Sequence, residues 1–102
     1  MFEHNGKQYE LKMNTQRVKL VEAATKTPVM AEWQNNNGFL SLNTLEVCFQ
    51  LCLKEVGADA YCGQREGLQV CQEYMKEHGY AMAALLVQEA LQKDMPFLFL
   101  AN

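Results

Sequence analysis

No run of about 18 uninterrupted apolar residues occurs in the sequence, so no segment is expected to cross a membrane as a helix. Positive charge is scarce too: nine Lys and Arg stand against twelve Asp and Glu, for a net charge of -3. Five of the basic groups and three of the acidic ones fall in residues 1–26, leaving four basic and nine acidic in residues 27–102. Nucleic-acid affinity comes largely from cations that displace counterions at phosphates. With the larger part of the chain acidic, nucleic acid is not expected as the main partner. The opening Met1-Phe2-Glu3-His4-Asn5-Gly6-Lys7 lacks the charged-then-apolar order of a secretory signal. The expected location is a cytoplasm, and the four cysteines are expected to stay reduced there.

Motifs that carry chemistry are missing as well. Gly57, Gly63 and Gly67 do not have phosphate-loop spacing, and no predicted strand precedes them. Cys48, Cys52, Cys62 and Cys71 are separated by three, nine and eight residues, whereas structural zinc sites use close pairs on tight turns. Cys48 and Cys52 lie one helical turn apart on a stripe with Phe49 and Leu53, which reads as small thiols in a core. Neither histidine is near a cysteine along the chain. His4 sits beside a turn, and His78 falls in the last turn of a helix, where it complements the dipole. The expectation is a protein without catalytic residues, cofactor or metal.

What is present is the pattern of one globular domain over residues 1–102, with an apolar fraction of 49% that suffices to build a core. Residues 2–13 alternate around Asn5-Gly6, the strongest short-range hairpin signal, with Tyr9, Leu11 and Met13 on one face. Helices are predicted at about 15–26, capped by Asn14 or Thr15, and at 43–56, opened by an Asn43 and Glu46 capping box. Two more are predicted at 64–78 and 80–94, each beside a glycine. The last has a wide apolar arc that includes Met82, Leu85, Leu86 and Val87. Residues 27–40 are irregular: Val29 to Trp33 suits a short strand or a helical turn equally. The fold class is therefore α+β, mainly α, with an N-terminal β-hairpin packed on a bundle of about four helices and an apolar tail at 95–102.

Two features are candidate partner-binding surfaces. Phe97, Leu98, Phe99 and Leu100 form the most apolar segment, which must cover its own domain, pair with a second subunit, or await a partner. Trp33 and Phe39 flank the Asn35-Asn36-Asn37 run, where aromatics serve either as binding anchors or as plugs at the core edge.

The order of parts resembles the tail assembly chaperones of long-tailed bacteriophages of Gram-positive hosts. The resemblance rests on the hairpin Phe2 to Met13, the Val18-Lys19-Leu20-Val21-Glu22-Ala23-Ala24 helix, the helix from Leu42 to Lys54, Tyr74 to Tyr80, and the Phe-rich end. It implies a mostly helical, non-enzymatic protein in the cytoplasm of the bacterial host. Such a protein binds the tape-measure protein and helps recruit tail-tube subunits. It also implies no catalytic residues; many members have a longer form made by ribosomal frameshifting. A small mobile-element protein that inhibits a host defence enzyme fits the same length and lack of chemistry. A cysteine-based metal or redox protein is the remoter alternative.

Overall fold

The structure is a computed structural model and describes residues 1–100. The chain opens with β1 (Phe2–His4) and β2 (Lys7–Leu11). They pair antiparallel with Phe2 opposite Tyr9 and His4 opposite Lys7. The turn between them holds Asn5 at φ 51° and Gly6 at φ 78°. Two successive positive φ values define the type I′ turn whose twist matches the strands, and Asn-Gly is the pair that adopts it at least cost. As the alternation predicts, Tyr9, Leu11 and Met13 are all buried.

Helix α1 (Thr15–Thr25) starts where Asn14 Oδ1 accepts the backbone N–H of Arg17 at 2.8 Å. It stops at Lys26, whose left-handed backbone donates to the Glu22 carbonyl. Residues Val29–Asn35 form a further helix, α2, which settles the irregular stretch in favour of helix. Its entry is held by the Glu22 carboxylate, which accepts the Val29 N–H at 2.7 Å.

Helix α3 (Leu42–Cys52) corrects the sequence reading at both ends. Ser41, rather than Asn43, is the cap: its Oγ accepts the Thr44 N–H at 3.1 Å. Glu32 reinforces it from α2, accepting the Ser41 N–H and, at 2.8 Å, the Thr44 hydroxyl. A carboxylate is thereby set at the positive end of the helix dipole. At the far end, the helix predicted to reach residue 56 stops at Cys52, and Leu53–Glu55 form a third strand, β3. It pairs antiparallel with β2, Leu53 against Leu11 and Glu55 against Tyr9. The reason is non-local: β2 has a second set of backbone donors and acceptors, and leaving them unpaired costs more than ending a helix one turn early. The hairpin is thus the larger part of a three-stranded sheet of order β1-β2-β3.

The loop after β3 folds back on it. Cys62 N–H donates to the Leu53 carbonyl at 2.9 Å, and Tyr61 donates its hydroxyl to the Lys12 carbonyl at 3.1 Å. The Arg17 guanidinium lies 3.7 Å from the Tyr61 ring centroid and also donates to the Leu51 carbonyl at 3.0 Å, at the negative end of α3. Helices α4 (Gln64–His78) and α5 (Tyr80–Asp94) follow as the sequence predicts, and Pro96–Phe99 make a closing 3-10 turn. The described residues therefore contain five α-helices, one more than the expected four, because α2 is helical.

The core lies where the inner face of the sheet meets α1, α3, α4 and α5. Phe49, Leu45, Leu53, Leu91, Val21 and Val87 are its largest fully buried side chains. Phe2 packs against Tyr9, Phe49 and Tyr74, with ring centroids 5.2 to 6.2 Å apart. The fold class is α+β, mainly α. Helices α3 and α4 approach most closely at Gly67, where a Cβ would stand 2.4 Å from the Phe49 carbonyl oxygen.

Candidate functional site

Polar side chains gather in one cleft, between the hairpin and α4. Its walls include His4, Asn5, Tyr9, Glu66 and Glu73, with Lys7 and Arg65 at the rim. Buried His4 donates from Nε2 to Glu73 Oε1 at 2.7 Å, and Asn5 Nδ2 donates to the same oxygen at 3.2 Å. Chiefly because of the His4 hydrogen bond, the Glu73 carboxyl titrates below its ordinary range. Tyr9 donates its hydroxyl to Glu66 Oε2 at 2.7 Å. Burial, then that hydrogen bond, drives the Tyr9 pKa far up, so the phenol stays protonated. Both carboxylates are engaged within the fold, and the hydroxyl beside them is a donor that is not released. The cleft is a clasp that fastens β1 and β2 to α4.

The thiols do not converge. Cys48, Cys52 and Cys71 are buried, Cys62 is half-buried, and all four are free. Burial is the main influence on each: it lifts Cys48 well above the ordinary range and pushes Cys52 and Cys71 up to about 12, with Arg17 opposing the rise at Cys52. Cys62 is raised as well, by burial and then by Glu66. Among the described residues no three His, Cys, Asp or Glu side chains come together as a group that could hold a metal ion.

Apolar surface is the remaining candidate, and the structure separates the residues singled out from the sequence. Phe97 is 56% exposed and Leu100 71%, whereas Leu98 and Phe99 are half-buried. A 3-10 turn has three residues per turn, so neighbours point in different directions, and four consecutive apolar residues cannot share one fate. Phe99 meets half-buried Trp33 edge to face, ring centroids 5.0 Å apart. Trp33 therefore closes the core edge against the tail. Phe97 turns the other way. It lines a groove of about 170 Å³ together with Val18 and Met30, on a floor that includes Met95 and Leu98. Lys19 and Glu22 stand at its margin. Phe39 is 46% exposed and stacks on Tyr80 at 6.2 Å, while the Tyr80 hydroxyl donates to the Leu40 carbonyl. The six residues are thus divided between two places, Phe97 with Leu98 at the groove and Phe39 beyond Trp33 on the α5 side. Val18 and Met30 were not singled out from the sequence, because single apolar residues on helices read as core. Residues 101 and 102 of the predicted tail lie outside the described residues.

The class these observations define is a mainly helical α+β domain with a small N-terminal antiparallel sheet and exposed apolar side chains at its tail. No helix among the described residues is long and apolar enough to cross a membrane. Comparison with protein-family models, with curated proteins and with solved structures returned no match.

Proposed function

We propose that this chain is a non-enzymatic protein-binding domain that acts as a phage tail assembly chaperone in the cytoplasm of the host. It holds apolar helical segments of the tape-measure protein in solution and helps bring tail-tube subunits to them. The observation that carries this reading is the groove at the tail. A phenylalanine more than half exposed beside Met30 and Val18 is apolar surface that folding leaves uncovered. An amphipathic helix laid in such a groove buries it through anchors spaced at one face of the helix. The order of elements quoted above supports the same reading, as does the internal engagement of the polar groups in the clasp.

The test rests on separating two neighbours. Phe97→Ser removes an exposed anchor, and full burial of such a ring is worth about 1.5–3 kcal/mol. It is expected to weaken retention of a co-expressed tape-measure fragment at least about tenfold, since 1.4 kcal/mol is tenfold in affinity, with the melting temperature unchanged. Phe99→Ser is expected to do the reverse. Loss of the ring packed on Trp33 should cost about 2 kcal/mol of stability, part of it the edge-to-face contact. Fragment retention by Phe97→Ser equal to that of the wild type would defeat the proposal.

A further inference from the structure

A second surface is set apart by what it lacks. From Trp33 to Leu45 the chain runs thirteen residues without a charged side chain, and from Tyr80 to Gln88 it runs nine. At the chain's overall charged fraction of 21%, those 22 residues would carry between four and five charges. The fold brings the two segments together. Gln88 Nε2 donates to the Gly38 carbonyl at 2.6 Å, and Phe39 stacks on Tyr80. Most of their side chains face solvent, including Gln34, Asn35, Asn36, Asn37 and Asn43, and the large apolar Phe39, Leu42, Met82 and Leu85. Met82 and Leu85 lie three residues apart, so they are neighbours on the outer face of α5. An exposed region with aromatic, Met and Leu centres, a border of amides and no charge has the composition of an interface core rather than of a solvated face.

The lack of charge also says which occupant suits it. In a two-fold interface the same patch meets itself, so a charge near the axis faces its own copy. This chain carries -3, and most of its surface would repel a second copy. Amides donate and accept at once, and apolar side chains carry no sign, so both are self-complementary. A different protein would be selected by opposite charge, and this face offers none. We propose that the chain forms a two-fold symmetric homodimer through this face, with α5 of one protomer against α5 of its partner around Met82 and Leu85. Phe97 lies outside the face, among residues of α1 and α2, so the dimer leaves the tail groove open.

Sedimentation equilibrium of the full chain, from low-micromolar to sub-millimolar concentration, tests this without any client present. The weight-average mass is expected to rise to twice 11.7 kDa and to persist at high salt, because no ion pair holds the contact. Leu85→Glu places like charges across the axis and is expected to return the mass to that of one chain with the melting temperature unchanged. Met82→Lys, on the same exposed face, is read in parallel as an independent disruption. Leu20→Glu, on α1, is expected to leave the dimer intact. A wild type that stays at the mass of one chain throughout overturns the proposal, as does a dimer that survives both α5 variants or dissociates equally with Leu20→Glu.

Discussion

Replacement of Gly67 by alanine is expected to lower the stability of the fold by about 2–3 kcal/mol, although alanine is the better helix former by about 1 kcal/mol. The two effects oppose each other, and geometry decides between them. The added Cβ would lie 2.4 Å from the Phe49 carbonyl oxygen and 2.7 Å from the Gln50 Cα. Both are backbone atoms, so no side-chain rotation relieves the contact. Helices α3 and α4 must instead separate by about an ångström along a close-packed interface, with Phe49 and Cys71 losing contact on both sides. For a chain of this size the loss corresponds to about 10–20 °C in melting temperature. Gly63→Ala is the control: no heavy atom comes within 4 Å of its added Cβ, and the expected change is under about 1 kcal/mol. Thermal unfolding of the two variants beside the wild type, followed by circular dichroism, checks this. A Gly67→Ala protein as stable as the wild type would mean that the two helices do not cross so closely.

The second large effect is kinetic. An aromatic disulfide reagent near pH 8 is expected to modify one thiol of the native protein promptly, that of half-buried Cys62, and all four after denaturation. Cys48, Cys52 and Cys71 are expected to react about a thousandfold more slowly or slower still. Two effects act in the same direction. Only the thiolate attacks, and about four pH units below a pKa of about 12 roughly one Cys52 or Cys71 thiol in ten thousand is ionised. In addition the reagent cannot reach a fully buried sulfur until the fold opens, and openings are rare for a domain stable by about 5 kcal/mol or more. Prompt modification of three or four thiols in the folded protein would contradict the packing of α3 against α4. It would also revive the metal or redox reading.

How much of this was legible in the sequence follows from which forces are local. The Asn5-Gly6 turn, the Asn14 cap and the glycine between α4 and α5 act within a few residues, and each stands where the pattern puts it. Strand β3 was illegible for the opposite reason. Leu53 continues the helical spacing of Leu45 and Phe49, so the pattern fits a longer helix, and only the open edge of β2 turns it into a strand. The Ser41 cap lost to the Asn43 and Glu46 spacing because the residue that reinforces Ser41 is Glu32, nine positions upstream on another helix. The clasp joins His4 to Glu73 across 69 residues, and no spacing rule reaches that far. At the tail, composition identified the apolar segment. Which side of each residue faces outward was decided by the 3-10 turn and by Trp33.

The central claim is that uncovered apolar surface at the tail is there to hold a helix of another protein. Calorimetric titration of the chain with a helical tape-measure segment, repeated at several temperatures, tests it most directly. The account predicts saturable binding with a negative heat-capacity change, the mark of apolar burial, and loss of that heat in Phe97→Ser. A wild-type chain that takes up no such segment, or a Phe97→Ser chain that binds it with the same affinity and heat capacity, would contradict it.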